Sequence, residues 1–152
     1  MNIKKRPNLI YTHKKLTELS KHWLINSKQC NPVFTEQGSA NFSEMPDAIG
    51  FKSDICIVVE CKTSKSDLVA DRKKKCRQYG GLGNLRYYFM EENLYKKCRG
   101  FDFHGWGVVV IKSNLNQGRQ VSGMNSIEFD SNIKNERDFL RSRVLEIQKF
   151  GN

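Results

Sequence analysis

The run Ile55-Cys56-Ile57-Val58-Val59 constrains the fold of this chain more than any other stretch. It is apolar throughout and mostly β-branched, which favours an extended strand. An uninterrupted apolar run has no polar face to give to water, so the strand belongs inside a sheet that is covered on both sides. Covering both faces of one sheet takes helices above and below it, which makes a layered α/β domain.

The residues flanking that strand carry chemistry. Side chains alternate along a strand, so Glu60 and Lys62 share a face. A turn centred on Ser53-Asp54 pairs Lys52 with Ile55 and, counting back, Asp47 with Glu60, whose Cβ atoms then sit roughly 5 Å apart. Two carboxylates that close repel by about 1 to 3 kcal/mol at effective dielectrics of about 80 to 20, so a cation belongs between them. Lys62 is one candidate and a divalent ion is the other. Oxygen ligands without a neighbouring histidine favour a hard ion, Mg²⁺ with Mn²⁺ as its substitute, over zinc. The preferred reading is the ion, with the lysine beside it.

Pro46-Asp47, the apolar strand and Glu60-Cys61-Lys62 resemble the PD-(D/E)xK nuclease superfamily, which has the restriction-endonuclease-like fold. Ser64, Ser66, Asp67, Asp71 and the lysines after them extend the likeness toward small phage or DNA-repair-associated members, over about half of the chain. The resemblance implies that Asp47 and Glu60 hold Mg²⁺ together with the Cys61 main-chain carbonyl, and that Lys62 positions or polarises the attacking water. It also implies an acid on the first helix to complete the site, and Glu18 is the only acid there. On a helical wheel Glu18 points roughly 160° away from the apolar Leu16, toward His22, Ile25 and Tyr11. That stripe is either the active edge or an ordinary wet face. Glu36, just after the strand-like Pro32-Val33-Phe34-Thr35, is the competing third acid.

Charge points the same way. Twenty-six Lys and Arg against 16 Asp and Glu give the 152 residues a net charge of +10, which calls for a polyanionic partner, DNA before a membrane surface. The length is that of one domain. No apolar run approaches the roughly 20 residues needed to span a bilayer, and the start lacks a signal-peptide core, so a soluble cytoplasmic protein is expected, in the host cytoplasm if it is phage-encoded. Cys30, Cys56, Cys61, Cys76 and Cys98 contain no CxxC pair and read as small buried thiols. His13, His22 and His104 show no metal-ligand spacing and receive no role. A homodimer is possible, but nothing in the sequence marks an interface.

In chain order, Met1 to Asn8 is a short basic arm. Leu16, Leu19 and Trp23 mark a helix over about 12–26 with Thr12 as its cap. Met45 to Phe51 is the strand bearing Asp47, and Ile55 to Thr63 the central strand. Ser66 is the expected cap of a helix that runs through Arg72, Lys73, Lys74, Lys75 and Arg77 to Gly80-Gly81. Those cations are the DNA-contact candidates, the alternative being a solvated face. Tyr87, Tyr88 and Phe89 form a strand whose rings serve core packing before base stacking. Glu91 to Lys97 is a turn and brief helix, Val108 to Ile111 a fifth strand, and Ser113 to Ser126 a loop. A last helix over about 135–150 carries an inward stripe of Leu140, Val144 and Ile147, with Arg137, Arg141 and Arg143 exposed.

The expectation is a three-layer α/β sandwich with a mixed sheet of about five strands, restriction-endonuclease-like by resemblance. The expected reaction is Mg²⁺-dependent phosphodiester hydrolysis in DNA. The rival is a nucleic-acid-binding module of the same fold that does not cut.

Overall fold

The computed structural model describes residues 11–35, 45–74, 77, 80–112, 118–120 and 125–150. Ten elements follow in the order α1 (His13–Asn26), β1 (Val33–Thr35), β2 (Ala48–Lys52), β3 (Ile55–Lys62), α2 (Lys65–Arg72), β4 (Leu85–Glu91), α3 (Glu92–Lys97), β5 (Gly107–Ile111), β6 (Gly118–Gln120) and α4 (Ile133–Phe150). The strands form one mixed sheet in sequence order, β1-β2-β3-β4-β5-β6. The pairs β3–β4 and β4–β5 are parallel, and the other three are antiparallel. β6 falls inside the stretch expected to be a loop.

Alternation divides the core in two, as the buried central strand requires. Ile57, Val59 and Cys61 of β3, with Tyr87, Phe89, Val109 and Ile111, pack under Leu16, Leu19, Trp23 and Leu24 of α1. Cys56 and Val58, with Tyr88, Met90, Val108 and Val110, pack on the other face against Leu68 of α2, Leu94 of α3 and Phe139 of α4. The molecule is therefore a three-layer α/β sandwich. Tyr87, Tyr88 and Phe89 are all buried, so these rings pack in the core. Ile55 is 39% exposed, because it begins at the hairpin mouth before the sheet closes around the strand.

The β2–β3 hairpin has the expected register, with Lys52 opposite Ile55 and Ala48 opposite Val59. Ser53 at the turn has φ 52°, the left-handed conformation that a two-residue hairpin loop demands. Thr12 caps α1, its side chain accepting from the Lys15 N–H at 3.1 Å.

Three expectations need correction. The cap of α2 is Ser64 and not Ser66, since the Ser64 hydroxyl accepts from the Asp67 N–H at 3.2 Å. α2 ends at Arg72 instead of running to Gly80. Continuing it would stack cations three and four residues apart with no acid among them, whereas a turn lets Arg77 fold back onto Asp71. On α4 the buried residues are Phe139 and Arg143, while Val144 and Ile147 are 52% and 63% exposed. Phe139 sets that rotation by packing edge-on against Phe34, ring centroids 5.8 Å apart.

Candidate active site

Parallel strands β3, β4 and β5 end at the same edge of the sheet, at Lys62, Glu91 and Ile111. In open α/β sheets the crevice beyond such carboxyl ends is where ligands bind. A cavity of ≈ 390 Å³ lies there, lined by Lys62, Ser64, Lys65, Glu91 and Lys97 with the apolar Leu16 and Leu94; of Asp47, Glu60 and Lys62 only Lys62 reaches it, and the two acids lie outside its lining. Asp47 directly precedes β2, so extending the hairpin register by one residue brings it to Glu60. Asp47, Glu60 and Lys62 are 7%, 4% and 7% exposed, which takes three ionisable groups almost wholly out of water.

Each of them is held. The Cys61 N–H donates to Asp47 Oδ2 at 2.7 Å, locking the acid onto β3 at the residue whose carbonyl was enlisted with it. Cys61 points its own side chain the other way, with Sγ 3.9 Å from Ser20 Oγ on α1. Asp47 Oδ1 lies 3.1 Å from Nε2 of His13, the first residue of α1. His13 was given no role from sequence. It lies 34 residues from Asp47 with no metal-ligand spacing to mark it, and only the packing of α1 on the sheet brings the two together.

Glu60 and Lys62 belong to a larger buried network centred on Asp71, which is 1% exposed. Asp71 accepts from Arg77 Nε and Nη2, both at 2.9 Å, from Lys62 Nζ at 3.1 Å and from the Tyr88 hydroxyl at 2.8 Å. Arg77 Nη2 also reaches Glu60 Oε1 at 2.9 Å, and Lys62 Nζ lies 3.9 Å from Glu60 Oε2. Lys62 is thus held nearer Asp71 than Glu60. The Arg77 guanidinium stacks 5.0 Å from the Trp106 ring centroid, which in turn stacks on Tyr88.

The electrostatics follow from this arrangement. Burial drives the Glu60 carboxyl up, the Arg77 charge opposes it, and the Asp47 and Asp71 charges add to the rise, leaving it pushed up to about 8. Burial works to raise Asp71 as well, but the hydrogen bonds and charge of Arg77, with Lys62 and Tyr88, outweigh it and hold that carboxyl well below the usual range. Burial therefore outweighs the compensation at Glu60, even with Arg77 Nη2 2.9 Å away, and does not at Asp71.

Arg77 was expected on the DNA-contact surface and is instead 7% exposed, an internal clamp between Glu60 and Asp71. Two acids that outlie the cation run in sequence draw it inward. Lys73 and Lys74 are exposed beside the site, and Lys74 Nζ lies 3.5 Å from Asp71 Oδ1 as a further cation of that network. Arg72 is half-buried and turned toward the Tyr88 hydroxyl at 3.5 Å, and Lys75 lies outside the described residues. Glu18 is not in the site. Its side chain is 54% exposed and its ion-pair partner is Lys15 on the same helix, so the stripe it shares with His22 and Ile25 is the wet face. Glu36 lies outside the described residues.

Mg²⁺ is bound through one or two carboxylates and keeps several waters, so it needs no protein cage. Among the described residues no group of three or more His, Cys, Asp and Glu forms such a cage. Asp47 and Glu60 are carboxylates of the hard type that Mg²⁺ takes, and here their oxygens face His13, the Cys61 N–H, Arg77 and Lys62. Burial and the neighbouring Asp47 and Asp71 charges raise the Glu60 carboxyl, and added positive charge beside it would relieve that rise.

No family model and no curated protein matches the chain. Its fold is similar to a solved structure, a protein of unknown function from Silicibacter pomeroyi, with a TM-score of 0.62 and 13% identity over 98% of this chain and 95% of that one. That likeness concerns the fold alone, an open mixed α/β sheet with helices on its sides. No helix among the described residues is long and apolar enough to cross a membrane.

Proposed function

We propose that this chain is a Mg²⁺-dependent nuclease of the PD-(D/E)xK type, cutting phosphodiester bonds in DNA on a restriction-endonuclease-like version of the sandwich. The observation that carries the reading is the buried cluster of Asp47, Glu60 and Lys62 at the carboxyl edge, in the hairpin register read from sequence. A fold gains nothing by burying two facing acids, one of them pushed up to about 8, unless something is to be bound there. Lys73 and Lys74 offer phosphate contacts beside it, and the surplus charge of +10 suits a DNA partner in the cytoplasm.

Asp47, Glu60 and the Cys61 carbonyl are the groups that would hold the ion. When bound, Mg²⁺ supplies Lewis acidity at the phosphate and acidifies the attacking water. Lys62, restrained by Asp71, orients that water through its ammonium and offers positive charge where negative charge develops. Asp71 and Arg77 keep Lys62 and Glu60 in place, and the apolar core beneath them excludes bulk water.

The test is a panel of labelled duplex, single-stranded, flap and junction DNA with Mg²⁺, Mn²⁺ or chelator. Cleavage should require metal and be lost in Glu60→Ala and Asp47→Asn while circular dichroism stays native. Cutting by Glu60→Ala in chelator would overturn the reading. The 2.9 Å contact of Arg77 with Glu60 favours a second reading, a DNA-binding module whose acid is already neutralised from within. Retained DNA binding with no cleavage of any substrate would select it.

A further inference from the structure

Arg143 on α4 is 5% exposed, yet its hydrogen bonding is incomplete. Nη1 donates to Glu146 Oε2 at 2.8 Å and the guanidinium lies 5.1 Å from the Phe139 ring centroid, while Nε and Nη2 are buried with no partner. Buried donors are nearly always satisfied, and a guanidinium fork matches an anion with paired oxygens. Arg143 lines a cavity of ≈ 230 Å³ together with Lys21 of α1, Thr35 at the end of β1, and Glu146. Two cations and a hydroxyl-bearing residue thus line it, and the one acid among its described lining residues, Glu146, has a side chain 41% exposed.

The position of this cavity in the sheet matters. Thr35 pairs with Ala48, the residue after Asp47, so the cavity lies one strand outward from Asp47 and two from Glu60. At about 4.8 Å per strand that is about 5 Å from the strand of Asp47 and about 10 Å from that of Glu60. Its volume is below the roughly 300 to 1,000 Å³ of a small-molecule pocket, which suits a phosphate group and not a whole nucleotide.

We propose that the Arg143–Lys21–Thr35 cavity is an anion subsite for a phosphate group. On the nuclease reading, on which this assignment to DNA rests, it holds a backbone phosphate that flanks the one at Asp47 and Glu60. Nε and Nη2 are covered in the empty site, so an incoming phosphate oxygen first displaces Glu146 from Nη1, and the guanidinium then turns to present its other donors while Lys21 adds charge. The same chemistry serves free phosphate, so the two sources are separated in the test.

The full chain, ¹⁵N-labelled and kept in chelator so that nothing is cut, is titrated with a single-stranded oligodeoxynucleotide and, separately, with inorganic phosphate. The Arg143 Nε–H resonance is assigned by its loss in Arg143→Lys. The oligonucleotide should shift that resonance, with affinity falling about tenfold in Arg143→Met and about threefold in Lys21→Ala. Glu146→Gln, which removes the competing carboxylate, should bind about threefold tighter. Lys21 and Glu146 lie at the surface, so those variants keep the test open if Arg143→Met fails to fold. A resonance that neither ligand moves, or affinities unchanged in Lys21→Ala and Glu146→Gln, would overturn the subsite. Inorganic phosphate binding more tightly than the oligonucleotide would overturn its assignment to DNA. Because no metal is present, an Arg143 shift together with failure to cut when Mg²⁺ is added would fell the nuclease reading and leave the subsite standing.

Discussion

Asp71→Asn removes one buried negative charge while keeping the shape of the hub on which the site is built. Asp71 and Glu60 stand against Lys62 and Arg77, whose side chains are only 9% and 2% exposed, with the exposed Lys74 a third cation 3.5 Å from Asp71. The substitution leaves those two cations facing Glu60 alone, and the amide of Asn turns a donor toward them. Removing one partner of a buried ion pair costs about 3 to 5 kcal/mol, a large share of the about 5 to 15 kcal/mol that stabilises a domain. At about 2 to 4 °C per kcal/mol for a chain of this size, the variant should melt about 6 to 20 °C below the wild type. The Asp71 carboxyl is held below its ordinary value of 3.8, so the unfolded chain takes up a proton that the native protein refuses. Its contribution is present above that pH and is lost as the pH falls through it and beyond. Urea unfolding near neutral pH and near pH 3 should therefore show a large gap between the two proteins at the first and a smaller one at the second. A gap below about 1 kcal/mol at neutral pH, or one that does not shrink in acid, would refute the hub.

Glu60 should act in the opposite sense. Its carboxyl, pushed up to about 8 from 4.5, holds a proton in the native state that the unfolded chain has released, so metal-free stability should fall as pH rises between those values. Glu60→Gln should flatten that slope in denaturant titrations, and a wild-type slope in the variant would contradict the assignment. Glu18→Gln, on a side chain 54% exposed, should leave any Mg²⁺ requirement and cleavage rate unchanged, and a raised requirement in metal titrations would return Glu18 to the site. Gly83→Ala should lower the melting temperature by a loss of about 1 to 3 kcal/mol, because Gly83 has φ 92° and an added Cβ would lie 2.9 Å from Val58 Cγ2. Near-native melting would mean that β3 yields there.

The parts of the site that could be read along the chain are those whose spacing has a local meaning. Asp47, Glu60 and Lys62 lie on one hairpin, where register is a matter of counting from the turn, and the count holds. The missed or misplaced parts are long-range or compete with a local signal. His13 meets Asp47 across the packing of α1 on the sheet. Arg77 sits in a run of cations that reads as an exposed DNA-contact surface until two buried acids on β3 and α2 are seen to draw it in. Arg143 was read as exposed because three aliphatic residues elsewhere on α4 looked like the inward stripe. Phe139, seated on Phe34, sets a different rotation.

The sequence by itself determined the layered α/β architecture, because an apolar β-branched strand must be covered on both faces, and alternation then distributes each neighbouring strand between the two cores. It also determined that two acids and a lysine share one sheet edge. Only the tertiary structure decided how those charges are balanced. Charge compensation in a low-dielectric interior depends on distances of a few ångströms between groups that are remote in sequence, and no periodicity encodes them. Thus Asp71 rather than Glu60 became the partner nearest Lys62, Arg77 left the surface to bridge both acids, and Glu60 became the carboxyl that burial raises most against that compensation.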